Sequence, residues 1–430
     1  MKSILLKNCK ILDEEGNLIS TNILIKNGKI HQINAKIKPE AQINENILNK
    51  KEKTIIIDCK DKIVFPGLID SHVHFREPGL THKEDFFTGS MAAAAGGITT
   101  VLDMPNTKPP TLTLKYLKEK RRLAEETCLV NFGFHFGSAI NNIEEIKKAT
   151  QLNNVASTKI FMNLSTGNMK IDDEKLLKDI FMSSKLISVH AEGEKVKLAI
   201  KLAKNSDRPV YLCHISTKEE IDYIKKEKTL LKINKISSNN GFNIFVEVTP
   251  HHLFLTKYDD KDSFTKMKPE LTSSYDQKAL LDAVNDGIVD TIGSDHAPHT
   301  IEEKLKFEFP YGVPGVETML PLLLDAANKK LITLKKVQEL CCENPARIFG
   351  ITNKGKIKEG YDADLVIVDL NIEKVIKNEE LFTKCKWSPF NGRKLKGCPV
   401  MTIVNGNVIF DDNRIPKIIT EHKGKEVIYE

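Results

Sequence analysis

The sequence predicts an α/β protein in which a (β/α)8 barrel of the TIM type carries a small composite β-sandwich. Two observations lead to this prediction. Between residues 63 and 350, short apolar strands alternate with amphipathic helical segments eight times, as in parallel strands joined by crossover helices. Residues 1–62 and 351–430 contain short strands separated by turn signals, and neither end is long enough to bury a core alone. We therefore expect both ends to form one β-domain into which the barrel is inserted.

The two ends of the chain have the pattern of β-hairpins. In the first 62 residues the turn signals are Glu15-Gly16-Asn17 and Asn27-Gly28, which favour tight turns between strands. Near the other end, Asn405-Gly406-Asn407 separates two apolar runs. The strands predicted at the two ends are Ile4–Leu6, Ile23–Ile25, Ile30–Ile33, Ile55–Ile57, Asp364–Val368, Met401–Val404 and Val408–Phe410.

The central region supplies the predicted barrel strands. They are Phe65–His74, Ile98–Met104, Phe132–Phe136, Thr158–Met162, Leu186–Val189, Val210–Cys213, Ile244–Val248 and Ile288–Ile292. Amphipathic stretches such as Thr217–Lys228 and Asp276–Asn285 lie between them and predict helices. A doubly wound sheet shares most of this pattern. In a barrel, the residues that carry out the chemistry lie at the carboxyl ends of the strands.

Composition excludes several classes of function. The net charge of +6 is spread along the chain, and no basic stretch is interleaved with stacking aromatic residues, so we expect no nucleic-acid partner. No apolar window approaches the roughly 18 residues of a membrane span, and the first residues have too short an apolar run for a signal peptide. The eight cysteines are scattered without a Cys-x-x-Cys pair. That distribution predicts reduced thiols and a cytoplasmic protein.

A His-x-His motif ends the first predicted barrel strand. Residues i and i+2 of a strand point to the same face, so His72 and His74 would present two imidazoles about 7 Å apart along the chain. Such a pair suits two nitrogens that converge on one metal ion. Arg76 would continue the same face with a fixed positive charge.

Further candidate ligands follow other predicted strands. His190 comes after strand five, His214 after strand six and Asp295 after strand eight, and Lys159 lies in strand four. Imidazole and carboxylate groups that converge at one edge are typical ligands of zinc. Because these groups exceed the needs of one ion, they indicate two ions that share an anionic bridge and activate a water. A lysine amine of lowered pKa could supply that bridge by adding carbon dioxide to form a carbamate. The structural alternative for Lys159 is a strand-end lysine whose charge reaches solvent.

Several short motifs are spread along the chain. They are His72–Gly79, Ala95–Thr100, Met104–Thr107, Thr249–His252, Asp295–His299 and Gly312–Thr318. These motifs resemble those of the amidohydrolase superfamily and, within it, the dihydroorotase family, over essentially the whole chain. Allantoinases are similar but differ at Arg76 and Asn106, and dihydropyrimidinases lack both.

The resemblance implies a catalytic centre with two zinc ions. Asp295 would also act as the catalytic proton carrier. The implied ligands are His72, His74 and Asp295 for one zinc, His190 and His214 for the other, and carbamylated Lys159 as the bridge between them.

The resemblance also implies the substrate and the residues that bind it. The reaction would be the reversible conversion of dihydroorotate and N-carbamoyl-L-aspartate in de novo pyrimidine biosynthesis. Arg76, Asn106 and His299 would hold the substrate carboxylate. The backbone of Val313, Pro314 and Gly315 would meet the pyrimidine ring.

One position departs from the family pattern. Relatives often have an asparagine that reads the ring edge where this chain has Lys268, so that contact does not carry over. Two other functions stay open: a related cyclic amidohydrolase, such as an allantoinase or hydantoinase, and a non-catalytic partner of aspartate transcarbamoylase. The sequence leaves open whether the chain forms a homodimer or a complex with that transcarbamoylase.

Overall fold

The computed structural model describes residues 3–34, 54–164, 169–233, 241–259, 262–412 and 417–430. Near the first end of the chain, two long strands form a hairpin across the predicted Glu15-Gly16-Asn17 turn. Most of the predicted domain range 1–62 is described, and residues 35–53 lie outside the described part. The first five strands are β1 (Ser3–Leu12), β2 (Leu18–Lys26), β3 (Lys29–Ile33), β4 (Thr54–Asp58) and β5 (Ile63–Pro66).

The central strands form two parallel sheets. A three-stranded sheet contains β6 (Leu68–Val73), β7 (Ile98–Asp103) and β8 (Asn131–Phe134). In the other sheet, which has six strands, each strand lies beside the strands that precede and follow it in the chain. They are β9 (Phe136–Gly137), β10 (Thr158–Phe161), β11 (Ile187–His190), β12 (Val210–Leu212), β13 (Ile244–Val248) and β14 (Thr291–Ile292).

The last strands join the first ones in a single nine-stranded sheet. They are β15 (Leu365–Val375), β16 (Lys394–Val404), β17 (Asn407–Asp411) and β18 (Lys417–Ile418). The order is β18-β17-β16-β15-β5-β1-β2-β3, and β4 also pairs with β1. The strands of the two chain ends therefore belong to one sheet, in which β5 joins β15 to β1.

Helices alternate with the parallel strands, which confirms the α/β class. The predicted helices at Thr217–Lys228 and Asp276–Asn285 correspond to the observed helices Lys218–Ile233 and Ser274–Asn285. The second begins before Asp276 because Ser273 and Asp276 form a capping box. The helices are α1 (Phe86–Ala95), α2 (Leu114–Thr127), α3 (Ile143–Ala149), α4 (Glu174–Ser183), α5 (Glu194–Ser206), α6 (Lys218–Ile233), α7 (Pro250–Phe254), α8 (Ser274–Asn285), α9 (Ile301–Lys304), α10 (Met319–Asn328), α11 (Leu334–Gln338) and α12 (Asn344–Phe349).

The prediction of a single strand over Phe65–His74 is wrong. The chain forms two strands, because β5 pairs with β15 in the nine-stranded sheet whereas β6 pairs with β7 in a parallel sheet. Gly67 separates them, and a Cβ there would lie 2.1 Å from Oγ1 of Thr99. Only glycine therefore fits where the chain passes from one sheet to the other.

The predicted strand Phe132–Phe136 is interrupted at His135. This side chain is fully buried, and its ring nitrogens lie 2.7 Å from the Ser157 hydroxyl and 3.0 Å from the Ser71 carbonyl oxygen. His135 is thus a core histidine with both ring nitrogens paired.

Two separate apolar clusters stabilise this arrangement. The larger one lies between the parallel strands and their helices, and the smaller one lies on the nine-stranded sheet. All eight cysteines are buried, and none forms a disulfide in the structure. Among the described helices, none has the length and apolar character that crossing a bilayer requires.

Candidate functional site

The carboxyl ends of several parallel strands bring the predicted metal ligands together. His72 lies within β6 and His190 ends β11, whereas His74, His214 and Asp295 each follow the end of a strand. All five residues are at most 7% exposed. The carboxyl ends of neighbouring parallel strands lie at the same edge, which is why residues so distant in sequence meet here.

Asp295 lies at the centre of this group. Its Oδ1 atom is 3.2 Å from Nε2 of His72 and 3.1 Å from Nε2 of His74. One ligand atom each from His72, His214 and Asp295 lies within 4.8 Å of the others. On the other side, Nδ1 of His190 is 2.8 Å from Nε2 of His214. These distances suit ligands that converge on a small cation.

The electrostatics of the group also fit a cation. Nδ1 of His190 and Nε2 of His214 face each other, so a cation between the two rings could take a lone pair from each neutral imidazole. Burial lowers the pKa of His74 to about 3 and holds the pKa of His214 well below its ordinary value. Neutral imidazole is the form that binds metals.

Negative charge converges on His72. Burial lowers the pKa of this imidazole, but the adjacent carboxylates of Glu247 and Asp295 outweigh that effect and raise it well above its ordinary value. The site therefore stabilises a positive charge at this point, which a proton or a metal ion can provide. The residues form a potential metal-binding group.

Lys159 is buried beside these ligands. It lies in β10 with no exposed surface, so the alternative of a strand-end lysine that reaches solvent is wrong. Its Nζ atom is 3.0 Å from Sγ of Cys213 and 5.3 Å from the centre of the Phe161 ring. Among the described residues it forms no ion pair with a carboxylate.

A small cavity opens beside the ligands. It contains the metal-binding candidates, two of the predicted substrate residues, and several residues that sequence reasoning did not assign. It is lined by His72, His74, Arg76, Asn106, Lys159, Phe161, His190, His214, Lys268, Asp295, Ala297, Tyr311 and Gly312.

Arg76 lines the cavity, although the prediction that it continues the strand face is wrong. Strand β6 ends at Val73, and Arg76 has a φ of 65°, so the backbone has turned away from the strand path. The guanidinium is 1% exposed and donates from Nε to the carbonyl oxygen of Pro298 at 3.1 Å. Burial lowers its pKa to about 10, which leaves it charged at neutral pH.

Of the other predicted substrate residues, Asn106 lines the cavity and the rest do not. Oδ1 of Asn106 is 2.7 Å from Nδ1 of His74, so Asn106 also orients that imidazole. His299 is not on the cavity wall, but its Nε2 atom lies 3.2 Å from Nη2 of Arg76 and 3.0 Å from the Tyr311 carbonyl oxygen. Within the described chain, Val313, Pro314 and Gly315 do not line the cavity either, and the neighbouring Gly312 does.

Sequence reasoning missed Glu247. Its carboxylate lies 2.7 Å from Nδ1 of His72, accepts from the His214 backbone N–H at 3.0 Å and accepts from the Tyr211 hydroxyl at 2.8 Å. A carboxylate behind a ligating histidine fixes its tautomer and ring orientation. The available signal was one acidic residue inside the apolar strand Ile244–Val248.

Lys268 also lines the cavity, at the position where the family pattern is broken. Its ammonium is 2.5 Å from Oε1 of Glu270 and 4.8 Å from the centre of the Tyr311 ring. The ammonium is only a donor, so it can meet an oxygen of a ligand but not an N–H group. Lys268 therefore adds a positive charge to a cavity wall that also contains Arg76 and Lys159.

Comparisons with known proteins agree with this geometry. The model of the amidohydrolase family matches residues 63–409. Dihydroorotase from Methanosphaera stadtmanae is 38% identical over 97% of this chain and 98% of the relative. Dihydroorotase from Pyrococcus abyssi is 36% identical over 96% of each chain. Among solved structures, L-hydantoinase (dihydropyrimidinase) from Arthrobacter aurescens superposes with a TM-score of 0.88 at 28% identity, over 99% of both chains.

The relatives with the higher identity are dihydroorotases, and the hydantoinase is more distant in sequence. The matched family model leads to the same conclusion as the fold and the buried histidines around Asp295. The chain belongs to the amidohydrolase family and, within it, to the dihydroorotases.

Proposed function

We propose that this protein is a metal-dependent dihydroorotase that interconverts dihydroorotate and N-carbamoyl-L-aspartate. The observation that carries the proposal is the position of Arg76, a buried cation that lines the same cavity as Asp295 and the histidines. A site for a neutral ring has no use for a buried guanidinium. A site for an acidic ring needs one to neutralise and orient its carboxylate.

The substrate carboxylate would bind to Arg76, with Asn106 beside it. A guanidinium can hold a carboxylate through two parallel hydrogen bonds, which fixes the ring in one orientation. The ring amide carbonyl would then point toward Asp295 and the histidines. Holding reacting groups in place in this way removes much of the entropic barrier.

Two zinc ions are the cofactor that these residues would hold, with His72, His74 and Asp295 at one, and His190 and His214 at the other. Lys159, carbamylated, would bridge them. When bound, the ions supply the Lewis acidity that activates water and polarises the amide carbonyl. The burial of Lys159, which lacks a carboxylate partner among the described residues, supports its assignment as the bridge.

Asp295 would carry the proton. Burial raises the pKa of its carboxyl, but His72 and His74 outweigh that effect and hold the pKa well below its ordinary value. The carboxylate is therefore ionised and can accept a proton from the water that adds to the ring amide. It would then deliver that proton to the ring nitrogen as the C–N bond breaks. The same steps in reverse close the ring.

We also infer that the two parallel sheets are the wall of one (β/α)8 barrel and that the nine-stranded sheet folds into a composite β-sandwich. An isolated parallel bridge between Val73 and His296 supports the barrel, since it links the end of β6 with the segment after β14. On the opposite side, β8 and β9 are separated only by His135. The proposed division lies at Gly67 on one side and near residue 350 on the other.

The proposal is tested with purified protein and dihydroorotate. We expect the ultraviolet absorbance of dihydroorotate to fall as the ring opens. The metal content of the same protein sample should approach two zinc ions per chain. Removal of metal with a chelator should abolish activity, and added zinc should restore it. Metal-loaded protein without activity on dihydroorotate would contradict the proposal.

The fold similarity to L-hydantoinase makes cyclic amides without a carboxylate the second candidate substrates. Hydantoin, dihydrouracil and allantoin should therefore be assayed beside dihydroorotate. We expect turnover of the acidic ring alone, because the neutral rings leave Arg76 buried without a counter-charge. A protein without bound metal or activity would instead be the non-catalytic partner of a transcarbamoylase.

A further inference from the structure

Lys304 is a buried lysine whose ammonium binds only backbone oxygens in the described structure. It ends α9, has no exposed surface and forms no ion pair with a described carboxylate. Its Nζ atom donates to the carbonyl oxygens of Lys266 at 3.2 Å, Pro310 at 3.0 Å and Gly312 at 3.1 Å. Burial lowers its pKa to about 8. A buried charge is costly, so a simple packing role would be served better by an apolar side chain.

The three acceptors belong to two segments that form the cavity wall. One segment leads to Lys268 and the other contains Tyr311 and Gly312, and all three of these residues line the cavity. The backbone N–H of Gly312 also donates to the carbonyl oxygen of Lys266 at 3.0 Å. Lys304 therefore joins the two wall segments from behind and sets the distance between them.

Trp387 holds His299, which lies behind the same wall. It is the single tryptophan of the chain and is 1% exposed. Its indole Nε1–H donates to the carbonyl oxygen of His299 at 2.7 Å, and its ring centre lies 5.5 Å from Nζ of Lys304. His299 in turn contacts both Arg76 and Tyr311.

A small apolar cluster surrounds Trp387. It combines residues from the segments near Lys268 and Gly312 with residues that precede and begin β16. Its buried members are Leu255, Met267, Leu271, Val313, Leu322, Cys385, Trp387, Phe390 and Leu395. The segment between β15 and β16 thus reaches the back of the cavity wall and packs against it.

We propose that Lys304 and Trp387 are positioning residues that hold the cavity wall in the geometry required to bind the substrate carboxylate at Arg76. This inference rests on the proposed function. Neither side chain lines the cavity, so neither contacts the substrate. Each acts through backbone groups that carry Tyr311, Gly312 and His299.

The expected kinetic effect follows from this arrangement. The hydrogen bonds fix the wall before the substrate binds, so the free enzyme already has the bound geometry. Without them, binding must order two segments and realign His299 against Arg76. The metal ligands lie on other strands and keep their positions. We therefore expect KM for dihydroorotate to rise at least about tenfold while kcat changes less than about threefold.

The test compares three variants. Lys304→Met keeps the length of the side chain and removes its hydrogen bonds, and Trp387→Phe keeps an aromatic ring without the N–H donor. Lys306→Met is the matched control, because Lys306 lies on the same loop with its side chain exposed. We expect the rise in KM in the first two variants and wild-type kinetics in the control. The inference would be overturned if all three variants had the wild-type KM, or if Lys304→Met and Trp387→Phe lowered kcat without raising KM.

A second measurement does not depend on activity. Amide hydrogen exchange in residues 264–271 and 310–315 should be at least about tenfold faster in Lys304→Met than in wild type, without substrate, while exchange in the parallel strands is unchanged. Unchanged exchange in both segments would overturn the inference. If Lys304→Met does not fold, the kinetics and the hydrogen exchange are both measured on Trp387→Phe. Wild-type protein that is inactive on dihydroorotate would defeat the proposed function, and hydrogen exchange would still decide whether Lys304 holds the wall.

Discussion

Nδ1 of His72 lies 2.7 Å from Oε1 of Glu247, and both side chains are buried. The other ring nitrogen of His72 faces Asp295, so the carboxylate of Glu247 determines which nitrogen points into the site. The same Oε1 atom accepts from the His214 backbone N–H. One residue from β13 thereby orients candidate ligands of both proposed zinc ions.

Replacement of Glu247 should weaken metal binding without removing a ligand. We expect Glu247→Gln to lower zinc affinity about 10- to 100-fold, because the amide orients His72 less strongly than a carboxylate does. Competition with a chromophoric chelator measures this affinity. Glu194→Gln, at an exposed glutamate of α5, is the control and should keep wild-type affinity. Unchanged affinity in Glu247→Gln would show that His72 needs no such support.

Lys159→Ala should lose bound metal and reduce activity about 1,000-fold, since the anionic bridge contributes several kcal/mol. Short carboxylic acids such as acetate or propionate should restore part of the activity, because they can occupy the space of the carbamate. Lys170→Ala, at an exposed lysine, provides the comparison. Full activity of Lys159→Ala in carboxylate-free buffer would rule out the bridge.

Arg76→Met should impair substrate binding far more than metal binding. Loss of charge-assisted hydrogen bonds worth about 1.5–3 kcal/mol predicts a KM for dihydroorotate roughly 10- to 150-fold higher. The KM of Arg76→Lys should lie between those of wild type and Arg76→Met, since lysine keeps the charge but lacks the planar guanidinium that can form two parallel hydrogen bonds. Zinc content, measured on each variant, should match wild type. If zinc is lost together with activity, Arg76 supports the metal site and not the substrate.

Glu317 should make the fold less stable as pH rises. Burial raises the pKa of this carboxyl from 4.5 to about 8. The native state thus keeps a proton that the unfolded chain releases between about pH 4.5 and 8, and stability falls across that interval. The full fall is about 4–5 kcal/mol at 1.36 kcal/mol per pH unit.

Glu317→Gln tests this expectation, because the amide oxygen can still accept from the Phe382 and Thr383 backbone N–H groups that pair with the Glu317 carboxyl in the wild type. The difference in thermal midpoint between pH 5.5 and 8.5 should be smaller in this variant than in wild type. Glu379→Gln, at an exposed position, should behave as wild type. An identical pH response in all three proteins would contradict the expectation.

The sequence predicted the candidate site best where residues of metal-binding type follow directly after apolar strands. His72, His74, His190, His214 and Asp295 could be predicted to meet, because each belongs to the carboxyl end of a parallel strand. The α/β class and the pairing of the two chain ends followed from the spacing of apolar runs.

Other features depend on contacts that no local pattern reveals. Glu247 is one acidic residue in an apolar strand, and only the folded chain places it behind His72. Lys304 and Trp387 are separated by more than eighty residues and meet through packing alone. A single strand was predicted across the Pro66-Gly67 turn signal, because an apolar run looks the same whether it forms one strand or two in different sheets.

The passage of the chain through Gly67 has a consequence for engineering. Strand β5 is held on one side by β15 and on the other by β1, and it lies only six residues before His72. Removing the terminal sheet to make a shortened protein would therefore strip both neighbours from the backbone that leads directly to the candidate metal ligand His72. Shortened versions of this protein should be designed around a retained terminal sheet, and fusion partners should be attached without disturbing it.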